Sequence, residues 1–67
     1  MSNNDPTTVE VSFIRVTSAA VLVECDELEL WLPRQHVEYD GLLDHCEKGE
    51  LIEITVPEWL AYDRGLI

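Results

Sequence analysis

The chain reads as a mainly β protein: a small antiparallel sheet of four to five strands, or a barrel of the SH3-like or OB-like kind, finished by a short C-terminal helix. Three observations predict this. Apolar residues fall in short blocks of strand length at 9–16, 19–25, 28–32 and 51–56, rich in Val, Ile and Leu. Polar residues, Gly and Pro separate the blocks in hairpin order. The last residues carry helix punctuation, with Pro57 and Glu58 at a start and Arg64 and Gly65 at a stop.

Taken in order, residues 1–8 have the polar composition of a flexible lead-in, so they are expected to be disordered and the folded domain to span 9–67. From Val9 the pattern alternates, with Val9, Val11 and Phe13 opposite Glu10 and Ser12, until Ile14 and Val16 make both faces apolar. Thr17 and Ser18 break this strand before the Val-rich run at 19–25, and the two pair as a hairpin. Cys25, Asp26 and Glu27 form the next turn. In the third strand Leu28, Leu30 and Leu32 share one face and Glu27, Glu29 and Trp31 the other, until Pro33 ends it. Residues 34–39 suit a turn or one helical turn, and 40–49 a loop anchored by Leu42 and Leu43. The fourth strand sets Ile52, Ile54 and Val56 inward and Glu53 and Thr55 outward. A helix over 57–64 then docks through Trp59 and Leu60, with Leu66 and Ile67 tucked back onto the sheet.

Fourteen acidic residues against four basic ones leave a net charge of -10, a balance that in an apolar-poor chain would signal disorder. Here 46% of the residues are hydrophobic, so the charge sits on the outside of something folded. A surface of this kind repels phosphate backbones and anionic lipid and attracts basic proteins. Direct binding to nucleic acid or membrane is therefore not expected. The N-terminal residues lack a basic region followed by an apolar one, and no apolar run is long enough to span a bilayer, which predicts a cytoplasmic protein with Cys25 and Cys46 as reduced thiols.

A domain of this size has little room for a deep pocket, which argues against an enzyme and for a binding surface. His36, His45, Cys25, Cys46, Asp40 and Asp44 resemble metal ligands, but adjacent His45 and Cys46 point apart and match no zinc spacing. A Cys–His nucleophile needs an electropositive setting, and Asp26, Glu27, Asp44 and Glu47 supply the reverse. No catalytic residue, metal site or cofactor is expected. Carboxylates on alternate strand residues lie about 6.6 Å apart, so such rows imitate part of a phosphate line. The expected partner-binding residues are Asp26, Glu27, Glu29 and Trp31, extended by Tyr39, Asp40, Asp44 and Glu47. Trp31 is either covered by the C-terminal helix or an exposed anchor ringed by acids.

From Trp31 onward two stretches carry a resemblance. They are Trp31-Leu32-Pro33-Arg34 followed by His36 and Val37, and Val56-Pro57-Glu58-Trp59-Leu60-Ala61, preceded by Ile52-Glu53-Ile54-Thr55 and ending in Gly65-Leu66-Ile67. Together they resemble small accessory proteins of phages and prophages over about half the chain. This chain departs from them in being more acidic and in having Lys48 as its one lysine. The resemblance implies action in a host cytoplasm, as a DNA-mimicking, anti-CRISPR-like inhibitor that occupies the basic nucleic-acid-binding surface of a host protein or ribonucleoprotein complex. The alternative it leaves is a structural or replication-associated accessory subunit with a Trp31-centred protein interface.

Overall fold

The computed structural model describes residues 5–67. Five antiparallel strands, β1 (Pro6–Val16), β2 (Ala20–Cys25), β3 (Leu28–Pro33), β4 (Glu38–Tyr39) and β5 (Leu51–Pro57), form one sheet in the order β3-β2-β1-β5-β4. A single helix, α1 (Glu58–Asp63), follows. The mainly β expectation is met, in its open form: β3 and β4 remain separate edges and no barrel closes. Among the described residues no helix is long and apolar enough to cross a membrane.

The first strand starts earlier than its composition suggests. Pro6, Thr7 and Thr8, read above as part of a disordered lead-in, pair with Pro57, Val56 and Thr55, while residues 1–4 of that lead-in lie outside the described residues. Both prolines are tolerated for a reason of register. The Glu58 N–H donates to the Asp5 carbonyl and the Phe13 N–H to that of Glu50, so hydrogen-bonded β1–β5 pairs fall at odd-numbered residues of β1. Pro6 and Pro57 face each other at a position between those bonds, where neither needs an N–H. The Thr8 and Thr55 hydroxyls, at the next such position, hydrogen-bond at 2.9 Å.

A bulge corrects the parity of β1. Phe13 pairs with Val23, but Arg15, not Ile14, pairs with Leu22. Strict alternation from buried Phe13 would aim Arg15 into the core. The extra residue turns Arg15 outward and sets Val16 against Val21 on the inner face. On the β5 side of the same Phe13, the Gly49 N–H donates to the Phe13 carbonyl and the Phe13 N–H to that of Glu50, a second bulge, and the φ of 90° at Gly49 suits the tight turn from Glu47 to Glu50.

The main core cluster lies on one face of the sheet. Val11, Phe13, Val21, Val23, Leu32, Ile52, Ile54 and Val56 are buried there beneath Leu43, Leu60, Ala61 and Leu66. The loop anchor Leu43 sits in a 3-10 turn, Leu43–His45, and residues Arg34–His36 make another. Helix α1 is one residue shorter at each end than expected. It ends where the Gly65 N–H reaches the Tyr62 carbonyl and the Leu66 N–H reaches that of Ala61, with Gly65 at φ 74°. That reversal swings Leu66 under the sheet. Ile67 does not follow and is 53% exposed, and Trp59 is 37% exposed instead of core. A helix of fewer than two turns offers one inward stripe, which Leu60 and Ala61 already fill.

Candidate functional site

Among the described residues the second face of the sheet is open, because α1 lies with the core on the first; Leu22, between Arg15 and Trp31, is the buried residue there. Register sets its side chains in four cross-strand rows: Arg15, Leu22 and Trp31; Leu51, Ser12, Glu24 and Glu29; Glu10 and Glu53; and Thr8, Thr55 and Glu38. Five glutamates and one base occupy this face. Trp31 is 46% exposed on this face and is not covered by the helix.

Two of these rows place like charges directly opposite each other. The two-residue turn Asp26–Glu27 makes Cys25 and Leu28 a hydrogen-bonded pair, so Glu24 and Glu29 fall at the next, closer position between hydrogen bonds. Glu10 and Glu53 occupy the equivalent position between β1 and β5. At about 5 Å two carboxylates repel by ~0.8 kcal/mol even in water. Among the described residues the ion pairs are Arg34 with Asp44 at 3.1 Å and Arg64 with Asp63 at 2.7 Å, so neither glutamate pair is neutralised by one.

The turn that creates this register is itself strained. Asp26 and Glu27 adopt φ of 53° and 68°, the left-handed region that such a turn demands at both positions and that Asn-Gly fills at least cost. The chain instead keeps two carboxylates there, adjoining Glu24 and Glu29.

Of the residues singled out from the sequence, the structure brings together Asp26, Glu27, Glu29 and Trp31 at the β2–β3 end of the open face. Tyr39 is not with them: it pairs with Ile54 and packs on the core side. There the neighbouring Cys46 side chain, then burial and nearby carboxylates, push its phenol above the usual value. Asp40, Asp44 and Glu47 lie in the loop between β4 and β5, with the Asp44 carboxylate held by Arg34, which also donates to the Thr17 carbonyl. Glu24 was missed by sequence reading. Its signal was the turn length, since closing the hairpin at Cys25 and Leu28 sets 24 opposite 29.

The groups with reactive potential are dispersed. Burial, then the Asp26 carboxylate, pushes the Cys25 thiol up, away from the thiolate form. His36 meets the Trp59 ring edge-on, with centroids 5.3 Å apart. A cleft of about 210 Å³ beside it is lined by Pro6, Gln35, Glu38, Thr55 and Pro57, and an open groove of about 480 Å³ by Thr8, Glu38, Asp40 and Glu53. Thr55 lines both, opposite Glu38, with its hydroxyl engaged by that of Thr8 at 2.9 Å. Among the described residues no three His, Cys, Asp or Glu side chains group as metal ligands. No family model, curated protein or solved structure matches this chain.

Proposed function

We propose that this chain is a non-enzymatic binding module that docks its acidic sheet face, centred between Trp31 and the Glu24–Glu29 pair, on a basic protein surface. The kind of surface proposed is one that otherwise binds nucleic acid. The phage resemblance makes an inhibitor of a host nucleic-acid complex the setting of this proposal. The observation that carries the reading is the pair of directly opposed, unneutralised glutamates beside an exposed tryptophan on an otherwise uncovered face. Such a face is costly to the free protein, and a cationic partner relieves the cost on contact.

The exposure of Trp31 favours a second reading, an accessory subunit held mainly by an aromatic anchor. One experiment separates the two. On a partner captured from host lysate, binding kinetics are measured for the protein with Asp26, Glu27 and Glu29 neutralised together, and for Trp31→Ala, at low and high salt. Charge-led docking predicts that the neutralised protein associates more slowly and loses salt dependence, because exposed charges act through steering within a screening length of ~8 Å. Anchor-led docking predicts that Trp31→Ala dominates by faster dissociation. Binding unchanged by either variant, with the fold intact, removes this face as the site.

A further inference from the structure

We infer that the partner of this face engages it as an added β-strand: a basic, extended segment with alternating cationic and apolar side chains pairs with the outer edge of β3. The inference rests on the acidic-face reading and names how that face is occupied. Among the described strands β3 bonds to β2 alone. The hydrogen-bonded β2–β3 pairs are Cys25 with Leu28, Val23 with Leu30 and Val21 with Leu32, a register continued by the Arg34 N–H donating to the Ala19 carbonyl. The backbone groups of Glu29, Trp31 and Pro33 therefore point away from the sheet. Pro33 has no N–H, and the Trp31 carbonyl accepts from Arg64 Nε at 3.1 Å. This blunts one end of the edge. The Glu29 N–H, the Glu29 carbonyl and the Trp31 N–H remain in a row with no partner among the described residues.

The side chains along that row state what fits. Leu28, 63% exposed, and half-buried Leu30 line the core-side flank, while Glu29 and Trp31 line the other. An added strand thus sets apolar residues beside Leu28 and Leu30 and cationic ones beside Glu29, Glu24 and the Asp26–Glu27 turn. A second copy of this chain is the wrong occupant, since it would bring another -10 charge and a further Glu29 to the same edge.

The test uses the whole protein, isotope-labelled, with two capped peptides of equal charge: alternating lysine–valine, which can pair as a strand, and alternating lysine–proline, which cannot. The inference predicts that the lysine–valine peptide binds about tenfold or more tightly than the lysine–proline one, as the three backbone groups find partners. It also predicts that amide exchange at Glu29 and Trp31, fast in the free protein, slows on binding. Glu29→Gln loses only charge and weakens binding modestly. Glu29→Pro, whose missing N–H faces outward, weakens it about tenfold further. Should Glu29→Pro fail to fold, the exchange measurement on the unaltered protein decides alone. Equal binding of both peptides, with Glu29 and Trp31 unprotected, overturns edge pairing and leaves the acidic face standing. Binding of neither peptide overturns both.

Discussion

Replacing Asp26-Glu27 by Asn-Gly tests the strain in the β2–β3 turn. With φ at 53° and 68°, both residues sit where an L side chain crowds its own carbonyl, at roughly 1–2 kcal/mol per residue. Gly at position 27 removes that cost but adds about 0.5–1 kcal/mol of chain entropy to the unfolded state. Asn at 26 tolerates the region much as Asp does, and loss of two charges beside Glu24 and Glu29 adds a few tenths of a kcal/mol. The net expectation is a stabilisation of about 1 kcal/mol, or ~4–8 °C in Tm for a domain of this size. Thermal unfolding followed by circular dichroism reads it. Glu27→Gln is the control, because it removes charge and leaves the backbone strained. A Glu27→Gly protein no more stable than Glu27→Gln refutes the strain argument. On the proposed function the same double replacement slows association with a basic partner, so stability and binding move in opposite directions.

Deleting Ile14 removes the bulge but keeps Arg15 opposite Leu22 and Val16 opposite Val21, so the fold should survive; Val21→Arg instead puts an unpaired charge in the core, costing several kcal/mol. A domain this small has about that much stability in total, so cooperative unfolding should vanish in Val21→Arg and persist in the Ile14 deletion; its loss on deletion would contradict the bulge. Stability should also decline at alkaline pH. Cys25 and Tyr39 both have folded-state values above their ordinary 9.0 and 10.0, so each stabilises the fold fully below its ordinary value and loses that contribution as pH rises through the raised one. Melting curves from pH 8 upward should show Tm falling from about pH 9, with the fall flattened in Cys25→Ser and Tyr39→Phe proteins. A flat profile in the unaltered protein contradicts the burial and Cys46 contact assigned to these groups.

What the sequence made legible follows from period. Ile52, Ile54 and Val56 alternate with Glu53 and Thr55, and Leu32 alternates with Trp31, so the buried and open faces of β5 and β3 were readable without coordinates. Strand β4 has two residues, too few to show any period, and its pairing with Thr55 and Ile54 is decided by tertiary contact. The bulge at Ile14 was hidden because an apolar residue fits either face. Pro6 and the threonines looked like loop because composition does not register which N–H groups a ladder leaves unused. Trp59 was expected to dock the helix beside Leu60, whereas the short helix buries Leu60 and Ala61 beneath it. Of the candidate site, the acids of the β2–β3 turn and Trp31 were found from alternation. Tyr39 and the loop acids were grouped with them by charge and residue type alone, and neither property places two elements side by side.

The account turns on which face meets a cationic partner, and mapping backbone amide shifts of the isotope-labelled protein during titration with the lysine–valine peptide tests it most directly. Acids lie on every side of this molecule, including Asp44, Glu47, Glu58 and Asp63, so indiscriminate charge attraction would perturb them all. The account predicts saturable shifts concentrated at Glu24, Asp26, Glu27, Glu29 and Trp31, fading toward Glu10 and Glu53. Shifts concentrated in the loop at 40–47 or on α1, or spread evenly over the acids, would contradict it.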